Sequence, residues 1–203
     1  MPQAHYFSND NAGEFKPKKI SVTLAGQEVV VETAGSVFSP DHVDTGTKVL
    51  LSELAAAPKT GDLLDIGCGW GPIALALALA NPEAKVWAID VNERSLELTS
   101  RNAKTLGLAN INVCKPDEIP TDIMFTGIWS NPPIRVGKEV LHQLLLTWLP
   151  RLQDGAESYL VVQKNLGADS LVRWLQETLP KNFNTERIST DKQFRIIHVN
   201  RED

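Results

Sequence analysis

Leu63-Leu64-Asp65-Ile66-Gly67-Cys68-Gly69-Trp70-Gly71-Pro72 is an apolar strand that runs into a glycine-rich turn and then a helix. Glycines in such a turn let the backbone take sharp or positive-φ conformations and approach a ligand closely, while the helix that follows offers unpaired N–H donors. A loop of this kind suits a nucleotide-like cofactor. The spacing narrows the choice. A nicotinamide dinucleotide site requires GxGxxG, but counting from Gly67 and Gly69 puts Pro72 at the third position. Asp65, two residues before the first glycine, would repel a pyrophosphate and fits a ligand carrying an ammonium group.

Working outward from this loop, short apolar runs alternate with helical stretches. Leu63 to Ile66, Val86 to Ile89, Ile111 to Val113, Ile123 to Trp129 and Tyr159 to Val162 read as strands. Helices are expected near Pro72 to Ala80, Glu93 to Leu106, Lys138 to Leu149 and Ala168 to Leu179. This alternation predicts an α/β fold with a doubly wound, mostly parallel sheet covered on both faces. Phe183 to Ser189 and Phe194 to Val199 leave no room for a crossover helix between them, so they are expected to pair antiparallel and complete seven strands. Ahead of the loop, Ile20 to Leu24 and Glu28 to Glu32, broken by Ala25-Gly26-Gln27, read as a β-hairpin, and Thr47 to Ala56 as a helix. We expect a single domain, with residues 1–35 as an N-terminal arm and hairpin and 47–203 as the main sheet and helices.

The chain's 203 residues suffice for one core without staples, and 42% hydrophobic with 22% charged residues are ordinary globular values. A net charge of −5 argues against a broad, sequence-independent grip on nucleic acid. The longest apolar stretch, Ile73 to Ala80, is far short of the roughly 20 residues of a membrane span, and the start of the chain does not look like a secretory signal. Cys68 and Cys114 form no CxxC pair, and His5, His42, His142 and His198 lack metal-ligand spacing. These features lead us to expect a soluble cytoplasmic protein without a bound metal.

Two more sets of residues point to chemistry. Val86-Trp87-Ala88-Ile89 ends in Asp90, followed by Val91, where an acid at a strand tip would hold ribose hydroxyls. Asp117, after Lys115-Pro116, lies where a side chain would accept from an adenine amino group. The fourth strand ends in Ser130-Asn131-Pro132-Pro133-Ile134. Both Asn131 and Pro132 precede a proline, which predicts an extended segment with uncovered carbonyl acceptors.

The ordered set of Asp65, Gly67, Gly69, Gly71 and Asp90 resembles the class I S-adenosylmethionine-dependent methyltransferases, whose Rossmann-like fold carries a D-x-G-x-G-x-G loop. The resemblance implies S-adenosyl-L-methionine as cofactor, held by the loop (Cys68 included), Asp90, Val91 and Asp117. Asn131 and Pro132, with Pro133 stiffening them, would then accept both hydrogens of a planar amine and turn its lone pair toward the activated methyl group.

His5-Tyr6-Phe7-Ser8, Val37-Phe38-Ser39, Val43-Asp44-Thr45-Gly46-Thr47 and Asn131 through Lys138 are similar to the small-subunit ribosomal RNA guanine-N2 methyltransferases and their single-domain relatives. That likeness implies RNA or a pre-ribosomal particle as partner, adds Phe38, Asp44 and Gly46 to the cofactor border and puts Ile134 at the substrate, while Arg135, Lys138 and Lys164, basic residues near the expected mouth, are expected to touch its phosphates. The chain departs from the rRNA enzymes in carrying Ile134 where they have a stacking aromatic, and in having one methyltransferase copy. A protein amide or small heterocycle as substrate stays open, as does a non-catalytic RNA-binding or assembly module. Oligomeric state is not legible.

Overall fold

A computed structural model describes residues 15–35, 37–191 and 193–203. The His5-Tyr6-Phe7-Ser8 motif and Lys192 therefore lie outside the described residues. In chain order come β1 (Lys18–Leu24), β2 (Gln27–Thr33), α1 (Thr45–Leu51), β3 (Gly61–Ile66), α2 (Pro72–Ala80), β4 (Ala84–Ile89), α3 (Glu93–Thr105) and β5 (Ile111–Cys114). They are followed by β6 (Phe125–Ser130), α4 (Lys138–Trp148), β7 (Leu152–Gln163), α5 (Ala168–Thr178), β8 (Phe183–Asp191) and β9 (Phe194–Arg201).

Seven strands form one sheet in the order β5-β4-β3-β6-β7-β9-β8. The neighbours from β5 to β7 pair parallel. The chain winds outward from β3 to β5, then crosses back to lay β6 on the other side of β3. This reversal is the switch point at which open α/β sheets leave a crevice beyond the carboxyl ends of the strands. At the other edge β9 lies between β7 and β8 and runs antiparallel to both, so the expected C-terminal pair forms. Alternate residues of β3 enter opposite layers, Leu63 with Ala74 and Leu77 of α2 and Leu64 with Ile128 and Trp148. Burial on both faces explains why these strands read as continuous apolar runs.

Helix α2, PIALALALA, is apolar on every side and needs cover on every side. Ala74, Leu77 and Ala78 pack on the sheet, whereas Leu75 and Ala76 pack with Val22, Leu24 and Val31 of the β1–β2 hairpin. The hairpin is thus the outer lid of α2 and does not extend the sheet. Its turn has two residues, Ala25 and Gly26, both at positive φ (49° and 76°), as a tight hairpin with right-handed strand twist requires. Gln27, which the sequence places in the turn, pairs with Leu24 as the first residue of β2.

Two boundaries differ from expectation. β7 begins at Leu152, which pairs with Phe125 of β6 well before Tyr159, and the residues that follow it, Gln153, Asp154 and Gly155, are exposed and carry no apolar signal. Helix α1 stops at Leu51, where the Ser52 hydroxyl donates to the Val49 carbonyl, and a 3-10 turn at Leu54–Ala56 completes the expected segment.

One buried side chain fastens the hairpin to the rest. Asn102 of α3 accepts from the Glu32 N–H (2.6 Å) and donates to the carbonyls of Glu32 and Trp70 (both 2.9 Å). Asn102→Ala leaves these buried groups unpaired and should cost about 1–3 kcal/mol in urea unfolding. An unchanged midpoint would show that the apolar contacts alone hold the hairpin.

Candidate active site

The glycine loop is gripped from behind by β4 and α3. The N–H groups of Gly67 and Cys68 both donate to the Ile89 carbonyl at 2.9 Å, and Gly69 N–H donates to Asp90 Oδ2 at 3.0 Å. The Thr99 hydroxyl donates to the Gly69 carbonyl at 2.9 Å. Gly67 has φ 77°, and a Cβ there would meet nothing nearer than Pro133 Cδ at 3.9 Å, so that the loop faces open space toward β6. Gly71 has a different reason. At φ 100° a Cβ would sit 3.0 Å from Thr99, making Gly71 a packing position.

The two acids of the loop region separate in role. Asp90 lies at the end of β4, its Oδ1 accepting from Asn92 N–H at 2.9 Å while Oδ2 holds Gly69. Burial pushes its carboxyl above the usual range, opposed by those backbone donors. Asp65 is fully buried, and its Oδ2 accepts from Ala74 N–H in the first turn of α2 at 3.0 Å. Its Oδ1 has no hydrogen-bond partner among the described residues. Burial pushes the Asp65 carboxyl up to about 8, with the Ala74 bond opposing and the charge of Asp90 adding to the rise. Asp65 does not line the cavity described below, contrary to the ligand-facing position expected of it. Its neighbours Leu64 and Ile66 point into the opposite layer, so strand alternation turns Asp65 under α2.

At the end of β6 the Ser130 hydroxyl donates to the Ile66 carbonyl at 2.7 Å, tying the two strand ends together. Asn131 follows. Its Nδ2 donates to Asp44 Oδ2 at 3.0 Å and to Thr47 Oγ1 at 3.1 Å, which commits both amide hydrogens and leaves the side-chain oxygen for another donor. The expected extended run with uncovered carbonyls is corrected in one respect. Pro133, at φ −75° and ψ 79°, closes an inverse γ-turn in which Ile134 N–H donates to the Pro132 carbonyl at 2.8 Å. One lone pair of that carbonyl is therefore taken and one remains.

These pieces meet at a cavity of about 500 Å³. Of the residues singled out in the sequence, Phe38, Asp44, Gly67, Cys68, Gly69, Asp90, Val91, Asn131, Pro132, Pro133 and Ile134 line it. Gly71 and Gly46 do not. A Cβ at Gly46 would lie 2.9 Å from Phe194 Cε1, so its contribution is to let α1 pack on β9. Asp117 is exposed in a 3-10 turn and outside the lining, which its neighbour Pro116 joins instead. Lys138 and Lys164 are exposed and also outside the lining, and the side chain of Arg135 lies outside the described residues. The cavity adds residues that motif reading missed: Thr47, Gln163 and Phe194. Gln163 and Phe194 stand opposite each other on β7 and β9, a juxtaposition created by strand order. Phe38 lies at the lining and is 65% exposed, forming an apolar lip with Leu166.

Residues 28–198 match the family model of the methyltransferase small domain. The Bacillus subtilis protein YbxB is 33% identical over 176 residues, covering 85% of this chain and 88% of that protein. The ribosomal RNA small subunit methyltransferase C of Aeromonas hydrophila is 34% identical over 172 residues, covering 83% of this chain and 48% of the relative. The chain thus spans about half the length of that methyltransferase. In overall shape it resembles the T. thermophilus 16S rRNA N2 methyltransferase RsmC, solved in complex with AdoMet and guanosine (TM-score 0.78, 21% identity, 94% of this chain and 52% of that one). Among the described residues no helix is long and apolar enough to cross a membrane.

The Asp65 carboxyl generates a pH signature. Its folded pKa of about 8 lies above the ordinary 3.8, so the folded state binds the proton more tightly than the unfolded state. The resulting stability is fully present below about pH 4 and is lost as pH rises through 8. The melting temperature of the ligand-free protein should therefore fall over this interval, and Asp65→Asn should flatten the fall. Parallel curves for the two proteins would refute the assignment.

Proposed function

The chain belongs to the methyltransferase small domain family, and from that premise we propose that it transfers a methyl group from S-adenosylmethionine to a planar amino nitrogen, the exocyclic N2 of a guanine in small-subunit ribosomal RNA. The observation that carries this reading is the shared cavity, into which the glycine loop with Asp90 and the Asn131-Pro132 acceptors both open.

The residues present fit the cofactor. Asp90 has both oxygens anchored by backbone donors and keeps lone pairs for ribose hydroxyls. Ile66, Ile89 and Val91 give apolar walls for a heterocycle. S-adenosylmethionine, when bound, supplies an electrophilic methyl group on a sulfonium.

The rest of the chemistry lies with the chain. Asn131 Oδ1 and the free lone pair of the Pro132 carbonyl accept the two hydrogens of the substrate amine, which directs the nitrogen lone pair away from them. Holding that geometry removes the entropy of orientation from the barrier, and the acceptors stabilise the positive charge that develops on nitrogen. The amine needs no deprotonation before attack and can release its proton afterwards. Ile134 gives an apolar contact where an aromatic would stack, and Phe38 at the lip offers a ring from the other side. The guanine and the RNA are supported by the names of the relatives, and such a substrate goes with RNA or a pre-ribosomal particle as partner and a cytoplasmic location.

Calorimetric titration should detect S-adenosylmethionine but not NAD, and Asp90→Ala should weaken the affinity by about 1.5–3 kcal/mol. Asn131→Ala should slow single-turnover transfer to small-subunit RNA by about 100-fold. Mapping modified nucleosides of a deletion strain against its parent identifies the target. An unchanged map would remove the ribosomal substrate, and absent cofactor binding would remove the reaction itself.

A further inference from the structure

Asn131 sits in a setting that specifies which way its amide faces. A side-chain amide has nearly the same shape after a half-turn about its last bond, so its hydrogen-bond partners alone decide whether oxygen or nitrogen meets the substrate. With the nitrogen toward the substrate, two donors would confront each other and an incoming amine would be turned away. The partners here are Asp44 Oδ2 at 3.0 Å and Thr47 Oγ1 at 3.1 Å. A hydroxyl can donate or accept and tolerates either orientation. An ionised carboxylate only accepts, so that flipping Asn131 would press its amide oxygen against the oxygen of Asp44.

Asp44 is itself fixed in place. The same Oδ2 accepts from Gly46 N–H at 2.9 Å and from Thr47 N–H at 3.3 Å, capping α1. Close packing of Gly46 on Phe194 seats the start of α1 against β9, and Thr47 is buried. The segment ahead of the sheet thereby reaches the end of β6 and sets the polarity of its side chain.

We propose that Asp44, assisted by Thr47, is a positioning residue for methyl transfer that acts by holding the Asn131 oxygen toward the amine. The proposal rests on reading Asn131 as the amine acceptor. It assigns Asp44 to the substrate side of the chemistry, in place of the cofactor border that resemblance implied.

The test combines removal of the acceptor with a readout that needs no substrate. Asp44→Asn alone keeps an oxygen able to accept and should slow single-turnover transfer by less than about tenfold, whereas Asn131→Asp sets two carboxylates in contact and should slow it by about 100-fold. Asp44→Ala removes the acceptor and leaves the amide to Thr47 alone, which tolerates either orientation, and should slow transfer by about tenfold or more. S-adenosylmethionine affinity, measured on the same proteins, should change by less than about threefold. A folded Asp44→Ala protein that turns over at the wild-type rate would overturn the proposal. So would an Asp44→Asn protein that binds cofactor poorly yet turns over at the wild-type rate at saturation.

Independently of activity, the Asn131 side-chain amide protons, identified by NMR through their loss in Asn131→Asp, should exchange slowly in the wild type and rapidly in Asp44→Ala. Rapid exchange in the wild type would also overturn the proposal. Slow exchange in a wild-type protein that methylates no RNA would count against the reaction while upholding the clamp.

Discussion

Helix α2 cannot face water on any side, and much of the molecule follows from that constraint. Its inner residues require the sheet and its outer residues require the hairpin, so the hairpin is part of the core although it pairs with no strand of the main sheet. The glycine loop leads into this helix and is therefore trapped between two packed layers. Asn102 bonds at once to the hairpin backbone and to the Trp70 carbonyl, and the Trp70 indole donates to the Ser39 carbonyl at 3.2 Å in the segment that carries Phe38. The lip of the cavity is thus tied to the helix beneath it.

Three carboxylates define the site, and each first satisfies backbone donors. Asp65 caps α2, Asp90 joins the glycine loop to the start of α3, and Asp44 caps α1. A carboxylate bound on one side in this way has little freedom left on the other. The geometry of the cavity is accordingly set by secondary structure before any ligand enters, which is the condition under which orientation contributes to rate. Asp65 is the extreme case. Buried so completely that its charged form is disfavoured, it acts on the site through its bond to the first turn of α2.

The legible parts of the sequence were those whose physics is local. Gly67 and Gly69 of the loop, Asp90 at a strand tip and Asn131-Pro132-Pro133 all depend on near neighbours, and all of them line the cavity. The turn at Pro133 is not legible, because rigid prolines imply extension, whereas its ψ of 79° folds the chain back onto the Pro132 carbonyl. Asp65 was misplaced for a reason present in the strand itself: alternation with Leu64 and Ile66 sends it to the α2 side. Nothing local foretold Phe194, Gln163 or the contact of Asp44 with Asn131. Those depend on β9 entering the sheet between β7 and β8, and on α1 lying across strand ends far from it in sequence.

The place of β9 also orders events in time. During synthesis β7 and β8 leave the ribosome first, yet they cannot become neighbours, because the strand that separates and joins them is still to come. That strand brings Phe194, a wall of the cavity and the seat for Gly46 at the start of α1. A growing chain can assemble β3 to β6 with their helices, but it carries an open sheet edge and an unfinished cavity until β9 docks. The cavity wall at Phe194 therefore exists only once β9 is in place, and a ligand that touches it would distinguish molecules in which β9 has docked from those in which it has not.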